Sequence, residues 1–255
     1  MNFVDEYLNI LGLHKLETTD SKEFLKQIIK SHQLKIPFDS IRKMNDSRSK
    51  EQLMDNYNNP MKYLESFKKN GLGGVCYHLS WGLYNLLIEL GYDVKIIKLE
   101  ESHIALVINL NNKKYYADVS FWAPLFDIYP LEEYWNVPEP GYEIEWRFQD
   151  GKGYLYRGGE IAKSWNGEYL SIEQFWDSWE QSMNDKSVFL NRVFITKWLD
   201  TNTFAFLNDS IYKEFEGGVK VQEINLKETT EEKELAQIFS HKFGIDYYNV
   251  NKVVT

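Results

Sequence analysis

Three side chains have the types that a nucleophilic centre needs: Cys76, His103 and Asp118. Cys76 is the single cysteine of the 255-residue chain and opens a helical pattern, GLGGVCYHLSWGLYNLLIELGY. Gly73 and Gly74 before it allow a tight turn and the close approach of another group. A thiol at a helix N-terminus meets the positive end of the dipole and unpaired N–H groups, which favour the reactive thiolate. A lone cysteine is also a small buried hydrophobe in many proteins, and taken by itself Cys76 fits that description as well.

The partners come from SHIALVINL-NN-KKYYADVSF, which reads as two strands turning at Asn111-Asn112. A two-residue loop pairs Leu110 with Lys113, sets Ala105 opposite Asp118, and sets His103 opposite Ser120. His103 and Ala105 share a face. Asp118 joins that face as a diagonal neighbour of His103, ~7–8 Å away by backbone. A four-residue loop keeps this relation and an odd one reverses it. The opposite face, with Ile104, Leu106, Ile108, Tyr115, Ala117 and Val119, reads as core, so the His/Asp face is expected to look into a cleft. The same pair also describes an ordinary surface salt bridge. Joined to Cys76, it has the logic of a thiol–imidazole–carboxylate set: nucleophile, base and orienter.

The remaining histidines lack ligand spacing. His14, His32 and His241 read as solvated or at the edge of the core. His78 lies two residues from Cys76, and positions i and i+2 do not face each other on a helix. No cluster has zinc-ligand spacing, so no metal is expected. GGVCYH lacks the Gly-Lys-Ser/Thr part of a phosphate loop.

The elements that must position these groups follow from hydrophobic period. FVDEYLNILGL and TTDSKEFLKQIIKSHQL are amphipathic helices, the second with Asp20 and Glu23 at capping-box spacing. MKYLESFKK is a helix that closes at Asn70-Gly71. The cysteine helix turns Leu79, Leu83, Leu86, Leu87 and Leu90 inward and ends at Gly91. From Tyr92 the period shortens to two: DVKIIKLE, the hairpin, YEIEWRFQ, GYLYRGG and EIAKSW are short strands between Asn-Asn, Asp-Gly and Gly-Gly breaks. A helix capped by Ser171 follows in SIEQFWDSWEQSM, its aromatics read as core. Strands are expected in SVFLNRVFITKWL, TFAFLND, SIYKEF and VQEINL, then a helix from a Thr-Thr cap in TTEEKELAQIFSHKF.

Composition bounds the partners. Hydrophobic residues make up 43% and aromatics 16%, enough for a sizeable core, and the formal net charge is −9. That balance argues against nucleic acid and anionic membrane surfaces, while a small anionic ligand needs only a local patch. One cysteine forms no internal disulfide, which suits a reducing compartment. MNFVDEYLNILGL has no secretory pattern and no apolar run approaches membrane-spanning length. A soluble cytoplasmic protein is expected.

GGVCYHLSWGLYNLLIELGYDV resembles the nucleophile segment of the arylamine N-acetyltransferases, HIALVI their histidine strand, and ADVSFWAPLFDIYPL their Asp-Val-Gly-Phe-Gly strand. HQLKIPFDS is similar to the upstream His-x-x-x-Ile-Pro-Phe-Glu-Asn stretch, and SVFLNRVF to the Ser-x-Phe segment that begins the last domain. The resemblance runs from about residue 5 to the end. It implies an α+β fold in three parts: a helical bundle (1–91), an antiparallel β-barrel (92–185) and an α/β lid (186–255), with a cysteine-proteinase-like core. It implies two-step acetyl transfer from acetyl-CoA, the co-substrate, through Cys76, His103 and Asp118, to an arylamine, hydrazine or N-hydroxyarylamine. Phe38, Val75, Phe121 and Trp122 would line the acceptor pocket and Ser187 would contact CoA. A monomer or homodimer is expected. Four positions depart from the pattern. Leu72 stands where most members have arginine, so Asp39 is expected to lose its usual partner. His78 replaces Glu or Gln, and Ser120 and Trp122 replace the two glycines of Gly-Phe-Gly. Trp122 and Leu72 would reshape the pocket, and they motivate the alternative of a related amide synthase or an acyltransferase using another acyl-CoA. The triad alone also serves thiol hydrolases.

Overall fold

The computed structural model describes residues 2–14, 21–47, 57–100, 102–139, 142–228 and 231–254. Helices lead the chain: α1 (Phe3–Leu11), α2 (Lys22–Lys35), α3 (Ile41–Ser47), α4 (Pro60–Asn70) and α5 (Cys76–Glu89), with the short strand β1 (Phe38–Asp39) between α2 and α3. The α2 cap is Ser21, whose Oγ accepts the Phe24 N–H at 3.0 Å; Asp20 lies outside the described residues. Gly71 ends α4 in the left-handed conformation, as the Asn-Gly pair predicts. The five inward leucines of α5 are all buried.

The glycines before α5 are required by contact. A Cβ on Gly73 would lie 2.1 Å from the Pro37 carbonyl oxygen, and one on Gly74, which has φ +98°, would lie 2.5 Å from the His78 ring. The loop therefore packs directly on β1, where the Asp39 N–H donates to the Gly74 carbonyl at 3.0 Å.

The middle of the chain is antiparallel: β2 (Asp93–Leu99), β3 (His103–Leu110), β4 (Lys113–Ala117), β5 (Tyr129–Pro130), β6 (Trp135–Glu139), β7 (Tyr142–Gln149), β8 (Lys152–Arg157), β9 (Glu160–Trp165) and β10 (Tyr169–Leu170). These form two open sheets, β10-β2-β3-β4-β5 and β6-β7-β8-β9. Among the described residues no ring of strands closes into a barrel. The sheets instead share a core, with Ile97, Ala105 and Tyr116 from one against Trp146, Leu155 and Trp165 from the other.

The β3–β4 hairpin has the expected register. Asn111 and Asn112 take φ +52° and +59°, the geometry of a two-residue type I′ turn, and Leu110 pairs with Lys113. The expectation about its faces is corrected. Ile104, Leu106 and Ile108 pack in the main core with the helices, but Ala105, Val107 and Tyr116 on the other face are equally buried, beneath the second sheet. A sheet sandwiched on both faces has no open side. Only its end is open: pairing stops at Leu106–Ala117, short of His103 and Asp118.

Helix α6 (Ile172–Ser182) starts at a Ser171 capping box and buries Phe175, Trp176 and Trp179 in the main core. SVFLN, expected as strand, forms the short helix α7 (Val188–Asn191). Local polar bonds favour the turn: the Asn191 side chain donates to the carbonyls of Asp185 at 2.7 Å and Ser187 at 2.9 Å. The third sheet comprises β11 (Phe194–Trp198), β12 (Thr203–Asn208), β13 (Ile211–Glu216) and β14 (Val219–Asn225), in the order β1-β11-β12-β13-β14. Through β1, the C-terminal sheet is sewn to the loop that precedes Cys76. Helix α8 (Glu232–Gln237) runs into a π-helical turn, Ile238–Phe243, and α9 (Tyr247–Val254) follows; the expected Thr229-Thr230 cap lies outside the described residues. No described helix is long and apolar enough to cross a membrane.

Candidate active site

Cys76 occupies the first position of α5 and is 7% exposed. Its thiol donates to the Ser102 carbonyl at 3.7 Å. Ser102 has φ +85°, a left-handed conformation that costs a non-glycine residue about 1 kcal/mol or more; it turns that carbonyl toward the sulfur. Ser80 Oγ, one turn along α5, donates to the Ile104 carbonyl at 3.0 Å, which locks the helix to the start of β3. His103 is thereby fixed beside the helix mouth, near enough for Cys76 to favour its protonated ring.

His103 Nε2 donates to Asp118 Oδ2 at 2.6 Å. Burial pushes the imidazolium down, but the Asp118 carboxylate and its hydrogen bond, then Cys76, overturn this and raise His103 to about 10. Asp118 is 1% exposed. Besides His103, it accepts from Tyr116 OH at 2.7 Å on Oδ2, and from the Ser120 N–H, Ser120 Oγ and Phe121 N–H at 2.9, 3.1 and 3.1 Å on Oδ1. Burial raises its pKa; the His103 charge and these donors outweigh burial and hold it below the usual carboxylate range. The loop after Asp118 is pinned from α2, where Gln33 Nε2 donates to the Asp118 and Leu125 carbonyls at 3.0 and 2.8 Å.

A second carboxylate–imidazole pair lies two residues from the thiol. His78 Nδ1 accepts the Val75 N–H at 3.2 Å, so the ring caps α5, and its Nε2–H donates to Asp46 Oδ2 at 2.7 Å. Burial dominates here and lowers His78 to about 4, with Arg42 and Lys43 adding to the effect against Asp46. Arg42 and Lys43 on α3 are 2% and 3% exposed. Lys43 Nζ donates to the Ser182 carbonyl at 2.8 Å and to Ser187 Oγ at 3.0 Å. Burial lowers its ammonium to about 8, and Cys76 opposes that fall.

A cavity of about 220 Å³ opens beside Cys76 and His103. Phe38, Phe121, Trp122 and Phe189 form an aromatic wall, Ser102 and Ser120 contribute hydroxyls, and Arg157 and Lys163 stand in the lining as cations. Of the residues expected at a substrate site, Phe38, Phe121 and Trp122 reach this cavity. Val75 is 1% exposed within the main core, and Ser187 is held by Lys43; neither is in the lining. His32 proves to be fully buried, with Nε2 2.9 Å from Tyr7 OH.

A model of the N-acetyltransferase family matches residues 22–252. The chain belongs to the arylamine N-acetyltransferase family. Its fold is similar to the arylamine N-acetyltransferase of Salmonella typhimurium at a TM-score of 0.80 and 15% identity, over 100% of this chain and 98% of that one. It is also similar to an arylamine N-acetyltransferase of Bacillus cereus described as having a Cys-His-Glu catalytic triad, at a TM-score of 0.76 and 19% identity, over 96% and 99% of the two chains. Among curated proteins, proansamycin X synthase of Amycolatopsis mediterranei is 27% identical over 193 residues, 70% of this chain and 71% of that protein.

Each departure from the N-acetyltransferase pattern has a local account. Leu72 is buried among Ile41, Met44 and Ile195. With leucine at position 72, Asp39 is held by backbone donors, and the Arg42 charge acts on it only at a distance. Asp39 accepts the Arg42 and Gly74 N–H groups at 2.8 and 2.7 Å. The Arg42 guanidinium bonds the Leu72 and Gly73 carbonyls at 3.2 and 3.3 Å and lies 4.5 Å from the Tyr63 ring centroid. Burial still wins and raises Asp39 to about 6. His78 keeps the capping acceptor that Glu or Gln would supply. Ser120 gives Asp118 one bond that glycine lacks. Trp122 contacts Phe38 at 5.3 Å and Phe206 at 6.0 Å between centroids, filling the seam between the cavity and the third sheet. Tyr116 was legible, since strand alternation puts it on the face of Asp118 two residues on. Arg42, Lys43 and Arg157 carried no local signal.

Proposed function

We propose that this N-acetyltransferase moves an acetyl group from acetyl-CoA to an arylamine, arylhydrazine or N-hydroxyarylamine by a ping-pong exchange through Cys76. One observation carries the reading: the thiol at the mouth of α5 shares a cavity with a histidine whose far nitrogen is held at 2.6 Å by a buried, donor-saturated carboxylate. With Nε2 committed to Asp118, Nδ1 is the nitrogen that serves the sulfur. His103 holds the thiol proton as imidazolium and leaves Cys76 the nucleophile. Sulfur attacks the thioester carbonyl, with the α5 N–H groups stabilising the oxyanion. The C–S bond to CoA breaks, and CoA leaves as a thiol with the proton from His103. The amine nitrogen then attacks acetyl-Cys76, His103 takes the amine proton, and the amide departs as the cysteine sulfur leaves. Asp118 holds the ring and stays ionised throughout. We read residues 1–91 as the nucleophile-bearing bundle, 92–185 as the part that supplies His103 and Asp118, and 186–255 as the lid. Ser187 and Val75 remain proposed contacts of CoA and acceptor.

Incubation with acetyl-CoA is expected to add one acetyl group to intact protein and release CoA, with no adduct on Cys76→Ala. An unmodified mass would sink the proposal. A second reading, transfer of a larger acyl group as in an amide synthase, is favoured by Trp122, which reshapes the wall facing Cys76. Acyl-adduct yields across acetyl-, propionyl- and malonyl-CoA, in wild type and Trp122→Gly, separate the two.

A further inference from the structure

The chain enters Cys76 through Leu72, Gly73, Gly74 and Val75, a stretch that belongs to no helix or strand. Two adjacent glycines leave such a stretch wide conformational freedom, so its shape depends on what grips it from outside. Arg42, on α3 and 2% exposed, is one such grip. Its Nη1 donates to the Leu72 and Gly73 carbonyls at 3.2 and 3.3 Å. Nη2 donates to the Tyr63 carbonyl at 3.3 Å and Nε to Tyr57 OH at 3.1 Å. The Tyr63 and Tyr57 ring centroids lie 4.5 and 5.4 Å from the guanidinium carbon, and Tyr63 is backed by Tyr7, stacked at 6.0 Å. The Arg42 backbone joins in: its N–H donates to Asp39 Oδ1, while Asp39 Oδ2 accepts the Gly74 N–H. The far end of the stretch leads back to the same residue. Tyr57 OH, which accepts from Arg42, donates to Asp46 Oδ2 at 2.6 Å; that oxygen accepts from His78 Nε2, and His78 Nδ1 accepts the Val75 N–H. Arg42 does not line the cavity beside Cys76.

We propose that Arg42 is a positioning residue for acyl transfer: its guanidinium sets the stretch from which α5 starts, and with it the place of the Cys76 thiol and the neighbouring N–H groups at the cavity. The inference rests on the Cys76 reading above. The Leu72 and Gly73 carbonyls are shut away from water, so each needs a donor. A planar guanidinium held against the Tyr63 ring meets both at once, and its charge strengthens each bond in the low dielectric of the interior. Lysine cannot copy this. Its ammonium places three donors at one point, whereas the four acceptors around Arg42 are spread about a fork. A nucleophile displaced by about 1 Å loses about 10²-fold in rate, because the attack and the oxyanion contacts fall out of line together.

Two reactions of Cys76 separate its position from its reactivity. Acylation by acetyl-CoA needs the thiol and the oxyanion donors in line, whereas alkylation by iodoacetamide needs only an accessible thiolate. In single-turnover acylation, Arg42→Met is expected to lower the maximal rate by about 10²-fold and Arg42→Lys by about tenfold. The acetyl-CoA concentration for half-saturation should stay within about threefold of wild type, since Arg42 touches no substrate. Alkylation of Cys76 should also stay within about threefold in both variants. Urea unfolding checks the fold, and where Arg42→Met does not fold, Arg42→Lys decides. Acylation of Arg42→Lys at the wild-type rate, an equal fall in acylation and alkylation, or a loss expressed in half-saturation would each overturn the role of Arg42. Wild-type protein that alkylates at Cys76 yet accepts no acetyl group counts instead against the acyl-transfer reading itself, and the role of Arg42 falls with it.

Discussion

Two carboxylate–histidine pairs with buried imidazoles flank the thiol, Asp118–His103 at 2.6 Å and Asp46–His78 at 2.7 Å. They have the same residue types and nearly the same separation, yet they titrate in opposite directions. His103 is raised to about 10 and His78 is lowered to about 4. The difference lies in what else touches each pair. Asp118 is fixed as an anion by backbone, tyrosine and serine donors, and the nearby Cys76 adds to the preference of His103 for its cation. His78 gives its second nitrogen to a backbone N–H, which requires the neutral ring, and Arg42 and Lys43 repel a charge there. A close Asp–His contact is therefore no index of chemistry; the neighbours decide whether it is a charged relay or a helix cap.

The largest break in that contrast is expected from His103→Gln, which should cut acetyl transfer by about 10³-fold or more, measured as kcat/KM, because it removes the proton carrier. Asp118→Asn should cost a similar factor by presenting the wrong hydrogen-bond partner to Nε2. His78→Gln, which keeps a capping acceptor, should change kcat/KM by less than about tenfold. His78→Ala should instead lose about 2 kcal/mol of stability in urea unfolding, since it removes the acceptor of the Val75 N–H and one of the donors to Asp46.

The pH dependence of stability sharpens the same comparison. The folded-state pKa of His78 is depressed from 6.5 to about 4, so its contribution is present above pH 6.5 and lost as pH falls through 4. That of His103 is raised from 6.5 to about 10, so its contribution is full below pH 6.5 and lost as pH rises through 10. Urea midpoints against pH should show a flatter acid limb in His78→Gln and a flatter alkaline limb in His103→Gln. His32, lowered to about 3 by burial, keeps some acid dependence in both. Smaller effects are expected around Asp118. Tyr116→Phe should cost about 1–2 kcal/mol and lower activity about fivefold, and Ser120→Gly should lower activity about twofold, since two backbone donors remain on the same oxygen.

Much of the site could be read along the chain because its parts lie in regular elements. Two asparagines that tolerate positive φ set the hairpin register, and the register put His103 and Asp118 at one end of one face. The two glycines and the leucine period placed Cys76 at a helix mouth. The reading went astray where contacts jump between elements. The second face of the hairpin looked open because the strands that cover it, β6 to β9, come later in the chain. Arg42 and Lys43 drew no reading at all, because the groups that bury them come from residues 57–73 and 182–187.

The sequence by itself determined the nucleophile's place on its helix, the strand pair that bears histidine and carboxylate, and the family to which the chain belongs. These depend on backbone preference and side-chain period, which act over a few residues. Tertiary structure alone decided which Asp–His pair is charged, which backbone donors hold Asp39, and that Arg157 reaches the cavity. Those outcomes depend on desolvation and on charges brought from distant segments, and such energies have no value until the chain has closed around them.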